Sequence, residues 1–95
     1  MSDTMPAGTI KVREGAAVWR QIEDETVLLA LDSSTYLGLN HTGTVVWPLM
    51  VDGTTRDEMV DRLVSRFGIN AARAAADIDA FVDACHEQGL LVAQR

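Results

Sequence analysis

The period of the apolar and polar positions changes once along this chain, near Asn40. Upstream it is the period of strands. Ile10 and Val12 share one face and Lys11 and Arg13 the other, so residues 10–22 are expected to form a first strand, bent or bulged at Gly15. Glu23, Asp24 and Glu25 make a charged turn, residues 27–31 a second strand apolar on both faces, and Asp32, Ser33 and Ser34 another turn. The third strand, residues 35–39, rests on the β-formers Tyr36, Leu37 and Leu39. Turns this short join neighbouring strands into antiparallel hairpins.

Downstream the period is helical. Asn40 and Thr42 carry side-chain oxygens that accept the free amide hydrogens of a first helical turn, and a helix over residues 42–51 buries Val45, Val46, Leu49 and Met50. Pro48 lies beyond the turn where proline is tolerated, so it is expected to kink or shorten this helix. Thr54 or Thr55 caps a second helix, with Asp57 or Glu58 completing a capping box, and Met59, Val60, Leu63, Val64 and Phe67 form its apolar stripe up to Gly68. A third helix, residues 71–88, has a broad apolar face of Ala74, Ala75, Ile78, Phe81, Val82 and Cys85, and ends at Gly89. Leu90, Leu91 and Val92 then return to the core. The fold class is α+β: a three-stranded antiparallel sheet followed by three helices, close to a winged helix-turn-helix.

Composition narrows the function. The chain has 95 residues, 47% of them apolar, enough for one domain with a modest core. Residues 1–8 are expected to be a flexible tail, without the basic and apolar regions of a secretory signal, and residues 9–95 the folded domain. No apolar run approaches the roughly 18 residues that span a bilayer. The single cysteine, Cys85, has no internal disulfide partner, which suits a reducing cytoplasm. A formal charge of −6 repels phosphate backbones and anionic lipid, and attracts a basic peptide.

Candidate chemistry is sparse. Cys85 and His86 are adjacent, so on a helix they point about 100° apart and do not form a nucleophile–base pair. Two histidines without a third ligand at a recognisable spacing make no zinc site, and Gly38 and Gly43 lack the lysine and further glycine of a phosphate loop. No enzyme, cofactor or metal is expected. A winged-helix DNA-binding regulator is the alternative from another class. Its recognition helix, however, carries Arg73 against Asp77, Asp79, Asp83 and Glu87, a balance that phosphates repel.

Peptide binding needs less. The third strand is apolar on both faces, and few residues remain to cover it, so its edge is a place for an extended peptide to add a strand. Tyr36, Leu37 and Leu39 with Ile78, Phe81, Val82 and Cys85 form an apolar groove, or several of them pack the core instead. For Ile78 and Val82 the core reading leads; for Leu37 and Phe81 the two readings balance. Trp19 and Trp47 read as core or face-covering aromatics.

The order Tyr36-x-x-Leu39-Asn40-x-Thr42-Gly43-x-x-x-Trp47, then Asp52-Gly53-Thr54, Asp77-Ile78, Phe81-Val82 and Gly89-Leu90-Leu91 resembles the peptide-chaperone family of pyrroloquinoline quinone biosynthesis. The likeness extends over about residues 10–92 and is greatest to the small recognition proteins of lasso peptide biosynthesis. It implies a recognition element for ribosomally made, modified peptides. The leader segment of a precursor would join the sheet as an antiparallel strand beside the third strand and lie against the third helix. Carried over to this sequence, the site comprises Thr35, Tyr36, Leu37, Gly38, Leu39, Arg73, Ala74, Asp77, Ile78, Phe81, Val82 and Cys85, with Arg73 and Asp77 as polar rim. The implied partners are a leader peptidase of cysteine-protease type and an ATP-dependent cyclase.

Overall fold

The computed structural model describes residues 8–92, so the tail expected at residues 1–8 lies, but for Gly8, outside the described residues. In chain order the elements are β1 (Thr9–Ile10), β2 (Ala17–Ile22), β3 (Glu25–Ala30), β4 (Thr35–Leu39), α1 (His41–Asp52), β5 (Thr54–Thr55), α2 (Arg56–Phe67) and α3 (Ala71–Glu87). β2, β3 and β4 form the expected antiparallel meander, with β3 in the centre. Its register sets Trp19 opposite Leu28 and Leu28 opposite Leu37 on the inner face, and Val18, Leu29 and Tyr36 in line on the outer face.

The expected first strand is broken in two. Val12 and Arg13 donate their amides to Met50 and Leu90 rather than to the sheet, and Val92 donates to Lys11. Gly15, at φ 75°, then turns the chain into β2. This upstream segment ties the molecule together instead, since β1 pairs with β5 and Val12 bridges Leu91. The second strand starts at Glu25 rather than residue 27, because only Glu23 and Asp24 are needed for the hairpin that sets Ile22 opposite Glu25.

The helices keep their expected order with shifted ends. α1 begins at His41, one residue early, because the Asn40 side chain caps it by accepting from the Gly43 amide at 3.0 Å. It also runs through Pro48 without being shortened: that ring faces solvent, while Val46, Trp47 and Met50 on the other side are buried. α2 carries the capping box, with Thr55 and Glu58 each bonding the other's amide. Phe67 ends its stripe exposed, beneath the guanidinium of Arg66. α3 starts after Asn70, whose side chain accepts from the Arg73 amide.

The core lies between the inner sheet face and the three helices. Leu28, Trp47, Met50, Met59, Leu63, Ile78 and Leu90 are its largest buried side chains besides Val46. Each such burial stabilises the fold by about 1.5–3 kcal/mol. Among the described residues no helix is long and apolar enough to cross a membrane.

Candidate peptide-binding groove

Among the described residues β4 is an edge strand paired with β3 alone, so the backbone groups on its other side meet no described strand. Its side chains alternate. Thr35, Leu37 and Leu39 turn inward, while Tyr36, 74% exposed, and Gly38 turn outward. α3 runs opposite the inner side. Between them lies a groove of about 260 Å³, walled by Leu37, Gly38 and Leu39 on one side and by Phe81, Ala84, Cys85 and Gln88 on the other. Leu28 and Leu90 also line it. A second hollow of about 540 Å³, lined by His41, Thr42, Arg73, Asp77 and Ala80, shares Asn40, Phe81 and Ala84 with the first, so the two lie side by side at the start of α1.

Both ends of the groove are held. At the Thr35 end, Arg13 donates from Nε and Nη2 to the Gly89 carbonyl at 2.8 and 2.6 Å, and from Nη2 to Asp32 at 2.7 Å. One planar guanidinium thereby clamps the β3–β4 turn to the end of α3. Ser33 donates to Gln88 across the same gap. At the Leu39 end, α1 approaches α3 so closely that a Cβ on Gly43 would meet Phe81 at 2.9 Å and Leu39 at 3.0 Å. Asn40 starts the helix and Gly43 lets it pack, a local reason for that sequence at the junction.

Comparison with known proteins identifies the family and the fold. The sequence pattern of the family Coenzyme PQQ synthesis protein D (PqqD) matches residues 25–91. The chain belongs to the PqqD family. The matched span starts at β3 and contains every residue lining both hollows. Two solved structures share the fold. TbiB1, solved in complex with the TbiA(beta) leader peptide, is 30% identical with a TM-score of 0.79, covering 90% of this chain and 98% of its own. A lasso peptide synthetase B1, complexed with the leader peptide, is 25% identical with a TM-score of 0.74, covering 88% and 98%. No curated protein matches the chain.

Within this PqqD fold the residues singled out from the sequence separate into groups. Leu37, Gly38, Leu39, Phe81 and Cys85 line the groove, and Arg73 and Asp77 line the adjoining hollow. Thr35 is partly buried at the start of β4, and Tyr36 stands on the opposite face of the sheet from the groove. Ala74 and Ile78 are fully buried and line neither hollow. Val82 lies on another side of α3, beside Ile10, His86 and Leu91. Sequence reasoning missed Ala84 and Gln88. They follow Phe81 at the helical spacings i+3 and i+7, so the signal was present, but neither is apolar and large enough to draw notice.

Burial and pairing set the charge state of two groups on α3. Burial pushes the Cys85 thiol up to about 12, so it stays protonated, an apolar wall rather than a nucleophile. Arg56 donates from Nε and Nη2 to Asp79 at 2.7 and 2.9 Å, which holds that carboxyl below its usual range. Asp79 is thus already paired, and among the described residues the carboxylates lining the two hollows are Glu87 and Asp77.

Proposed function

We propose that this protein binds the leader segment of a ribosomally made precursor peptide and presents the attached core to processing enzymes. The observation that carries the reading is the unpaired, uncharged edge of β4 lying beside an apolar groove under α3. An extended peptide added antiparallel to β4 satisfies the free backbone groups, and every second side chain of it drops between Leu37 and Phe81. Solved relatives of the same fold are complexes with leader peptides, which supports a leader segment as the ligand. Arg73 and Asp77 form the polar rim of the site.

The mechanism is proximity. Holding the leader raises the concentration of the core at a partner's active site without altering the chemistry there. Those partners are a leader peptidase of cysteine-protease type and an ATP-dependent cyclase, acting in the cytoplasm. The test is amide hydrogen exchange of the protein with and without a synthetic leader peptide, the TbiA(beta) leader being the first probe. Slowed exchange along Thr35–Leu39 is the expected result. Protection confined to the exposed face of α3, or binding to duplex DNA in its place, would overturn it.

A further inference from the structure

A third hollow, of about 490 Å³, opens at the start of α1, between the β2–β3 hairpin and the last two turns of α2. Gln21, Asp24, His41, Thr44, Arg62 and Arg66 line it. Its charge runs against that of the molecule. The chain carries a formal −6, yet here two guanidinium groups face one carboxylate. Arg62 and Arg66 stand four residues apart on α2, so they share one face of the helix. Among the described residues Arg13 and Arg56 make ion pairs, and Arg62 and Arg66 make none. Arg66 lies over the Phe67 ring, 5.6 Å from its centroid, a contact with the ring face that uses no N–H donor.

The position of the hollow points to its occupant. A peptide antiparallel to β4 runs from the Leu39 end toward the Thr35 end, so its upstream residues leave beside Asn40 and His41. The β2–β3 turn stands at that same end of the sheet, since Thr26 is opposite Leu39 and Ile22 opposite Glu25. His41 lines both the hollow beside α3 and this one. The hollow beside α3 holds one cation, Arg73, and one carboxylate, Asp77. An excess of positive charge is met only past His41.

We propose that Arg62 and Arg66 form a carboxylate subsite for peptide residues upstream of the strand-bound segment. The inference rests on strand addition at β4. Asp and Glu are the side-chain anions of a ribosomally made peptide, and arginine forks match carboxylates. The negative field of the whole chain repels a free anion, whereas the strand-bound segment holds a tethered one close by. Reach fixes the spacing. β2 lies three strand spacings from an added strand, about 14 Å, which about five extended residues cover.

The experiment uses the full chain. A displayed library of random peptides of about 10 residues supplies a base peptide, placed by amide protection along Thr35–Leu39. The base peptide is then extended at its N-terminus by two glutamates, two glutamines or two lysines, joined directly or through a five-residue Gly–Ser spacer. With the spacer and at low salt, the glutamates should bind about three- to tenfold tighter than the glutamines. Joined directly they should gain less than about twofold. In Arg62→Gln/Arg66→Gln the spaced glutamates should also gain less than about twofold, with melting and base-peptide affinity as in the parent. Arg73→Gln should leave the gain intact. Attraction by net charge alone has the opposite sign, favouring the lysines, and that result overturns the subsite. So does a glutamate gain that survives the double substitution or is lost with Arg73→Gln; in each of these cases strand addition still stands. Base peptides that protect other residues, or a library that yields no binder, overturn strand addition and the subsite with it.

Discussion

Among the described residues the sheet has two open edges, and they differ in charge and in what lies beneath them. β2 carries Arg20 and leads into the acidic turn at Glu23 and Asp24, the kind of charge that discourages another strand from pairing. Its inner side is filled: Trp19 stands perpendicular to Trp47 of α1, with ring centroids 5.5 Å apart. β4 has no charged residue, and a groove under its inner side. An edge becomes a binding site when its backbone is free, its charge is low and there is room below for alternate side chains. β2 offers only the first.

The largest effect expected is on the floor that both edges share. Ile78 is fully buried, so Ile78→Asp forces an unpaired carboxylate into the core and should cost more than about 3 kcal/mol. Thermal melting should lose its cooperative transition; a parent-like melt would mean that α3 packs in another register. Next is the end of the groove. Gly43→Ala drives a methyl into Phe81 and should cost roughly 1–3 kcal/mol of stability while narrowing the space beside β4. Unchanged melting together with unchanged peptide affinity would show that Phe81 moves freely.

The comparison of edges is tested most directly from the peptide. N-methylating a bound leader one residue at a time should weaken binding at every second position by about 1 kcal/mol, where a backbone bond is lost. Amide exchange should slow in β4 and remain unchanged in β2, and protection of both strands would remove the distinction drawn above. A smaller effect is expected at the clamp. Arg13→Lys keeps a charge near Asp32 but loses the fork onto the Gly89 carbonyl, and should weaken peptide binding by about 0.5–1 kcal/mol in a titration. Affinity equal to the parent would show that Arg13 does not set the groove's width.

At neutral pH the last expected effect is nil. The Cys85 thiol titrates near 12 in the folded protein, against about 8.5 when unfolded. Its raised value means that the protonated thiol contributes fully below about pH 8.5, and that this contribution is lost as pH rises toward the folded value. The parent should therefore lose melting temperature faster than Cys85→Ala across that range. Parallel curves would mean that the groove wall admits water and the thiol ionises freely.

Much of the fold was legible because its signals are local. The change of period at Asn40 separates sheet from helices, and Asn40, Thr55 with Glu58, and Gly68 mark helix ends through bonds made within a few residues. The edge at residues 35–39 was legible for a similar reason, as a short uncharged strand between a turn and a cap. The division of α3 was not. Its apolar positions form one broad face, and helical spacing fixes their angles without saying what stands opposite each.

The amino-acid sequence by itself determined the order of elements, the caps and the apolar stripes, since each depends on neighbours at most a turn or a hairpin away. Tertiary structure alone decided that residues 10–22 break at Gly15, because the partners of Val12 and Arg13 are Met50, Leu90 and Leu91, far along the chain. It decided that α1 continues through Pro48, since the buried Val46, Trp47 and Met50 hold the helix while the ring faces solvent. It also set Ile78 into the core, Phe81 and Cys85 into the groove and Val82 on another side. Those outcomes depend on where β4 lies relative to α3, and Arg13 and Gly43, distant from each other in sequence, hold that distance from opposite ends.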